Sequence, residues 1–180
     1  KYNEAIQLLQ NYLNLQPGDV QLYSTLSDCF NQIHQPLDAI KVLQTGTQIH
    51  PTSGQLHFSL ILQLLRKGET EAAISQAETA FNYLPNDYTF KLMKHLIVPI
   101  IYHNSESINY YRKRFEEQLQ TLIQTTRLET PAERESAFWG LSRWTNFYLA
   151  YQAHNVVESQ KNYGKLVHHI MAANYPNWVK

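Results

Sequence analysis

The sequence is poor in cysteine: its single thiol, Cys29, rules out a disulfide within the chain and any cysteine-rich metal centre. Cys29 sits among apolar residues of a helical pattern, with no basic neighbour to lower its pKa, and reads as a small packed side chain. Neither charge is in excess, since 15 Lys and Arg balance 15 Asp and Glu. Duplex nucleic acid calls for a concentrated basic face, so no nucleic-acid partner is expected. The one basic cluster, Arg112, Lys113 and Arg114, is offset by Glu116 and Glu117 and reads as a solvated helix face. Glycine is scarce, 6 residues with none clustered, which excludes a glycine-rich phosphate loop; GxSxG and HExxH are also missing. The longest apolar run, residues 96–101, is broken by Pro99 and falls far short of the ~20 residues that cross a bilayer. No membrane partner is expected, and a cytoplasmic setting is.

What the sequence does have is apolar content, 43% of its residues, and a period. Prolines Pro17, Pro51 and Pro85 are 34 residues apart, and so are alanines Ala5, Ala39 and Ala73. Two residue types sharing one period and one phase point to a repeat array. The physics fits the spacing. A small residue lets two helices approach closely, and proline ends the second helix and fixes the turn into the next hairpin. Between these marks the apolar residues keep helical spacing: Leu22, Leu26, Phe30 and Ile33, then Leu56, Leu60 and Leu64, with Ala39, Ile40, Val42, Leu43 and Ile49 on a partner helix. Gly68 breaks a hairpin between Leu65 and Ala72. Residues 1–15 read as an amphipathic helix without start methionine or cap, so the sequence is expected to begin inside a repeat.

These residues resemble the tetratricopeptide repeat family, whose unit is a 34-residue helical hairpin. Tyr23, Leu26 and Phe30 match the first-helix pattern, with Ser27 in the small-residue slot; Ala39, Leu43, Gly46 and Pro51 match the second. One unit departs, carrying His57 for the first aromatic and Ile61 in the small slot. The expected fold is all-α, a tetratricopeptide-like α-solenoid of antiparallel hairpins, with repeats over 1–87, a divergent helical pair over 88–128 and an aromatic-rich hairpin with an exit linker over 129–180. The resemblance implies a concave groove lined by first helices, taking a protein or peptide partner. Its non-core positions are Ser24, Asp28, Asn31, Gln32, Phe58, Leu62 and Arg66. In the transferases of this type a ladder of asparagines on these helices holds peptide backbone; Thr25 and Ser59 stand where it would run, which argues against that mode of holding.

Beyond the repeats the strict pattern stops: Ser107 and Leu119 stand where alanine and proline would fall. Helices remain expected: one from Asn86 or Asp87 to about Tyr102, kinked or ended by Pro99; one over about 106–126, capped by Ser105; one over 130–152, opened by the capping box of Thr130 and Glu133. A last helix over 155–173 should be opened by a capping box at Asn155 and Glu158 and ended by Pro176. The helices over 130–152 and 155–173 are expected to pair antiparallel. Trp139, Trp144, Tyr148 and Tyr151 could form a sugar platform, but helical spacing favours core packing. His168 and His169 are adjacent, about 100° apart on a helix, and so cannot share a metal as i, i+4 histidines do.

The run Asn146, Phe147, Tyr148, Leu149, Tyr151, Gln152, followed by Tyr163, Gly164, His168, Ile170, Ala172, Ala173, Asn174, Tyr175, Pro176 and Trp178, resembles the segment before the catalytic region of bacterial SPINDLY-type O-linked N-acetylglucosamine transferases. That resemblance implies a downstream catalytic domain of two lobes beyond Lys180 that bind a UDP-sugar donor. The transferase's catalytic histidine belongs to those lobes, so no catalytic residue, metal ligand or cofactor is assigned within this chain. Two functions follow: the acceptor-presenting region of a glycosyltransferase, or a stand-alone scaffold that holds a protein partner.

Overall fold

The structure, a computed structural model, describes residues 1–178. Among these it is all-α, with nine α-helices, two short 3-10 helices and no strand. Contacts divide the chain into two compact units, residues 1–84 and 85–180.

The first unit holds α1 (Tyr2–Leu15), α2 (Val20–Gln32), α3 (Pro36–Ile49), α4 (Gly54–Arg66) and α5 (Thr70–Tyr83). Each helix packs on the next, and α2 also meets α4, as in a stack of hairpins. The period is written into the caps. Asp19 and Ser53 accept backbone N–H groups of α2 and α4 at 2.9 and 3.4 Å. The second helices end alike: Gln16, His50 and Leu84 leave the helix at φ −135°, −122° and −129°. Each donates its N–H to the carbonyl four residues back at 2.8 Å, and proline follows. Within the hairpins the turn residue is left-handed, His34 at φ 59° and Gly68 at φ 83°. The N–H after each closes a six-residue ring onto Phe30 O and Leu64 O, both at 2.9 Å.

Ala39 and Ala73 are fully buried at the helix contacts, and Ala39 packs with Ile6, Leu26 and Phe30. Ala5 is only half-buried. Cys29 is half-buried against the same cluster. Gly46 is required by packing: a Cβ there would lie 2.9 Å from the Tyr23 ring and 3.1 Å from Leu56.

The second unit holds α6 (Tyr88–Leu96), α7 (Ser105–Thr125), α8 (Pro131–Arg143) and α9 (Val157–Asn174). Segments 88–128 and 129–180 meet within it, because α6 packs on both α7 and α8. Helices α6 and α7 run antiparallel. His95 pairs with Gln118 at 2.6 Å and Lys91 donates to Thr125 O at 2.5 Å. Gly140 lets α8 close on the start of α6; a Cβ there would sit 3.0 Å from Thr89 N and Tyr88 C.

Four sequence expectations need correction. Helix α6 ends at Leu96, not near Tyr102, because Val98 precedes a proline and Ile97 is already extended at ψ 129°. Asn104, not Ser105, caps α7, in a box with Ser107. Helix α8 starts with the expected Thr130 and Glu133 box but stops at Arg143. Trp144 turns extended and becomes buried, and residues 147–152 form a 3-10 helix. Asn155 and Glu158 make no capping box: Val156 holds the cap position, and Asn155 Oδ1 accepts only from Val157 N at 3.0 Å. Helices α8 and α9 do pack antiparallel, since Asn174 Nδ2 at the end of α9 donates to Arg134 O near the start of α8 at 2.9 Å. The C-cap Tyr175, at φ −131° and ψ 63° before Pro176, repeats the helix ending of the first unit.

The basic cluster is not wholly solvated. Arg114 is half-buried, and its guanidinium donates to Lys94 O at 2.6 Å and to His95 O and Ile97 O at 3.0 Å each. It thereby satisfies the carbonyls left open where α6 breaks off.

Candidate partner-binding face

Helix α2 buries Tyr23, Leu26, Ser27 and Phe30, which leaves the opposite stripe outward. Ser24, Asp28, Asn31 and Gln32 share that stripe at i, i+4, i+7 and i+8. The 34-residue frame sets Phe58, Leu62 and Arg66 of α4 in the corresponding places of Ser24, Asp28 and Gln32. The two stripes are neighbours, because Gln55 Nε2 of α4 reaches Ser24 Oγ at 3.2 Å and Gln21 Oε1 at 3.4 Å on α2. Ser24, Asn31, Phe58 and Leu62 are half-buried; Asp28, Gln32 and Arg66 are exposed. Thr25 turns its hydroxyl back onto Gln21 O at 2.9 Å, while Ser59 is half-buried. The face thus offers two apolar side chains on α4, an acid on α2, and a base in the last turn of α4, where the helix dipole favours it. Its chemistry is that of contact: apolar area bordered by hydroxyl, amide and charged groups.

The residues beneath this face are held by a device that sequence reasoning missed. Tyr23 O–H donates to Pro17 O at 3.1 Å, and His50 Nε2 lies 3.0 Å from the same oxygen. One repeat later His57 Nε2 donates to Pro51 O at 2.8 Å. His57 Nδ1 then accepts from Gln76 Nε2 at 2.6 Å, and the ring stacks on Tyr83. The substitution of His for the aromatic therefore keeps the bond back to the turn proline. Burial lowers the His57 pKa, opposed by the bond to Pro51, and burial raises that of Tyr23. The paired spacing of 23 and 57 to prolines six residues earlier was the available signal.

In the second unit the aromatic set splits. Trp144 is buried and Tyr148 half-buried, but Trp139 and Tyr151 are 51% and 64% exposed, against the expectation of core packing. For Tyr151 the reason is the 3-10 segment, whose three-residue repeat turns Leu149 and Gln152 inward and leaves Phe147 and Tyr151 out, ring centroids 5.1 Å apart; Trp139 lies outside that segment, on α8. His168 and His169 are both exposed. Among the described residues no group of three His, Cys, Asp or Glu is gathered to hold a metal, and no helix is long and apolar enough to cross a membrane.

No family model matches the chain, and no curated protein does. Solved structures are similar to it in fold. A crystal structure of MamA is 16% identical over 91% of this chain and 91% of its own, with a TM-score of 0.47. A crystal structure of MamA protein is 17% identical over 97% of this chain and 86% of its own, at 0.49. The MamA RS-1 ArsTM double mutant is 12% identical over 100% of this chain and 89% of its own, at 0.50. At such identities only fold is shared, and with the 34-residue caps it makes this chain an all-α, tetratricopeptide-like array of helical hairpins.

Proposed function

We propose that the chain is a protein-interaction scaffold whose α2–α4 face holds an extended segment of a partner protein. The observation that carries this is the pair of aligned stripes. Phe58 and Leu62 lie partly open, with Asp28 at the level of Leu62 on α2 and Arg66 one turn further along α4; neither charge has an ion-pair partner among the described residues. Such a face offers apolar anchoring with charges of both signs beside it to fix direction. A cytoplasmic location is part of the proposal. The test is selection of binding peptides from a random displayed library, followed by titration against Asp28→Lys, Phe58→Asp and Arg66→Glu variants that keep their helical circular dichroism. Loss of about tenfold or more in affinity in at least two variants is the expected result. Selected peptides that bind all three variants as they bind the native chain would place the site elsewhere.

A finer reading makes this scaffold the acceptor-presenting region of an O-linked N-acetylglucosamine transferase-like enzyme, with the UDP-sugar held by downstream lobes of the same polypeptide. It is supported by the resemblance of residues 146–152 and 163–178 alone. Sequencing the gene beyond Lys180 tests it: two βα lobes with a histidine early in the first are expected, and a stop codon leaves the stand-alone scaffold.

A further inference from the structure

In the first unit each corner above a turn proline is filled. Tyr23 and His50 close over Pro17, and His57, stacked on Tyr83, closes over Pro51. The next frame position is Lys91, after Pro85. There α7 stands where the next second helix would run, without its alanine and proline, and the second unit has a cleft of about 530 Å³. Its walls include Pro85, Tyr88, Lys91, Arg127, Thr130 and Ser136.

The walls are fixed and the charge is positive. Ser136 Oγ donates to Asn86 O at 2.6 Å and accepts from Tyr88 N at 3.0 Å, which pins α8 to the start of α6. Tyr88 O–H meets Thr126 Oγ1 at 2.5 Å, and burial pushes its pKa up to about 12, so it stays a neutral wall. Lys91 Nζ lies 5.7 Å from the Tyr88 ring centroid and donates to Thr125 O. Burial, then Lys94 and Arg127, lower its pKa, and Glu133 opposes them, so Lys91 feels the charge of Arg127 across the cleft wall. Arg127 is exposed and has no hydrogen bond or ion pair among the described residues. Glu133 also lines the cleft: its Oε2 accepts from Thr130 N at 2.8 Å, Glu129 N at 3.0 Å and Thr130 Oγ1 at 3.1 Å, and its carboxylate offsets part of the charge of Arg127 and Lys91, so these three side chains keep one net positive charge.

We propose that this cleft is a second binding site, for the carboxylates of an acidic peptide segment, with Arg127 and Lys91 as the cations that receive them. A carboxylate here would relieve the repulsion between the two and give Arg127 the planar partner its guanidinium fits. The site belongs to the second unit, and the inference does not depend on the α2–α4 face.

The test uses fluorescein-labelled hexaglutamate, with hexaserine as the uncharged comparison, and fluorescence anisotropy on the whole chain. Hexaglutamate should bind, hexaserine should not, and added salt should weaken the binding. Arg127→Gln, an exposed change that leaves the fold alone, should lower affinity about fivefold or more. Lys91→Gln should do the same, and Lys41→Gln, at an exposed lysine outside both proposed sites, should leave it unchanged. Hexaglutamate should also shift the backbone amide resonances of Thr130 and Ser136. An affinity unaltered by Arg127→Gln, no binding at all, or an equal loss with Lys41→Gln would each overturn the site.

Discussion

Positions 23, 57 and 91 share one place in the 34-residue frame and carry Tyr, His and Lys, so the same corner has three electrostatic characters. At His57 the bond geometry puts the proton on Nε2, facing Pro51 O, and leaves Nδ1 to accept from Gln76. Burial penalises a second proton there, opposed by the bond to Pro51. Its folded pKa therefore lies below the ordinary 6.5, and the same sign holds for His95, buried beside Lys94, Lys91 and Arg114. For a histidine lowered on folding, the unfolded chain takes up the proton first. Stability should be full above about pH 7 and fall as pH drops through about 6.5. Urea midpoints measured from about pH 7.5 to about 5.5 should show that fall. In His57→Tyr, which restores the residue of the preceding repeat, the slope should shrink but persist through His95. A slope equal to the native one would mean that His57 is protonated as readily folded as unfolded. His34 raises a different point. It is exposed and left-handed at φ 59° where the next hairpin has Gly68. His34→Gly should raise stability by roughly 0.5–1 kcal/mol, the relief of φ exceeding the extra entropy of glycine. An unchanged or lowered melting temperature would deny that strain.

Elements were legible where a local rule was in force. Pro17, Pro51 and Pro85 end their helices as the 34-residue spacing requires, and the Thr130–Glu133 box starts α8 as read. Elements were illegible where a distant partner decided. Nothing near residue 143 in sequence demands that α8 stop; Trp144 is buried, and Gln152 Nε2 bonds Tyr102 O–H at 2.6 Å, fifty residues away. Arg114 likewise looked like surface charge because the carbonyls it caps belong to another helix. The proposed face rests on the i, i+4 spacing of its residues in the sequence, whereas the contrast of half-buried Phe58 and Leu62 with exposed Asp28 and Arg66 depends on packing that spacing does not state. The alanine contacts give the sharpest test of the array. Ala39 has no exposed surface and touches Ile6, Leu26 and Phe30, so it bridges α1, α2 and α3. Ala39→Leu should cost roughly 1–3 kcal/mol by overpacking, with lost amide protection in α1 and α2 as well as α3. Protection lost in α3 alone, or an unmoved melting temperature, would show that the position is not a shared contact.

At the scale of the whole chain, the division after Leu84 makes a prediction that the placement of tryptophan turns into a simple measurement. Trp139, Trp144 and Trp178 all belong to the second unit, and the first has none. Only Trp144 is buried; Trp178 is 86% exposed and Trp139 about half, so Trp144 dominates any fluorescence change on unfolding. Helical circular dichroism reports both units, since each is built of helices. Leu43 is fully buried within the first unit, and its truncation leaves a cavity there. Leu43→Ala should cost about 2–5 kcal/mol, and two-state unfolding of the entire chain would spread that cost over both signals. If instead each unit carries its own core, the variant should lower the denaturant midpoint of the dichroism and make that transition biphasic, while the Trp144 fluorescence midpoint stays within error of the native value. The reciprocal change, Leu166→Ala in the second unit, should move the fluorescence midpoint. Leu166 is 2% exposed and lies on α9. Equal displacement of both signals by Leu43→Ala would mean that residues 1–84 and 85–178 unfold as one cooperative body, and that the contact division does not mark an energetic one.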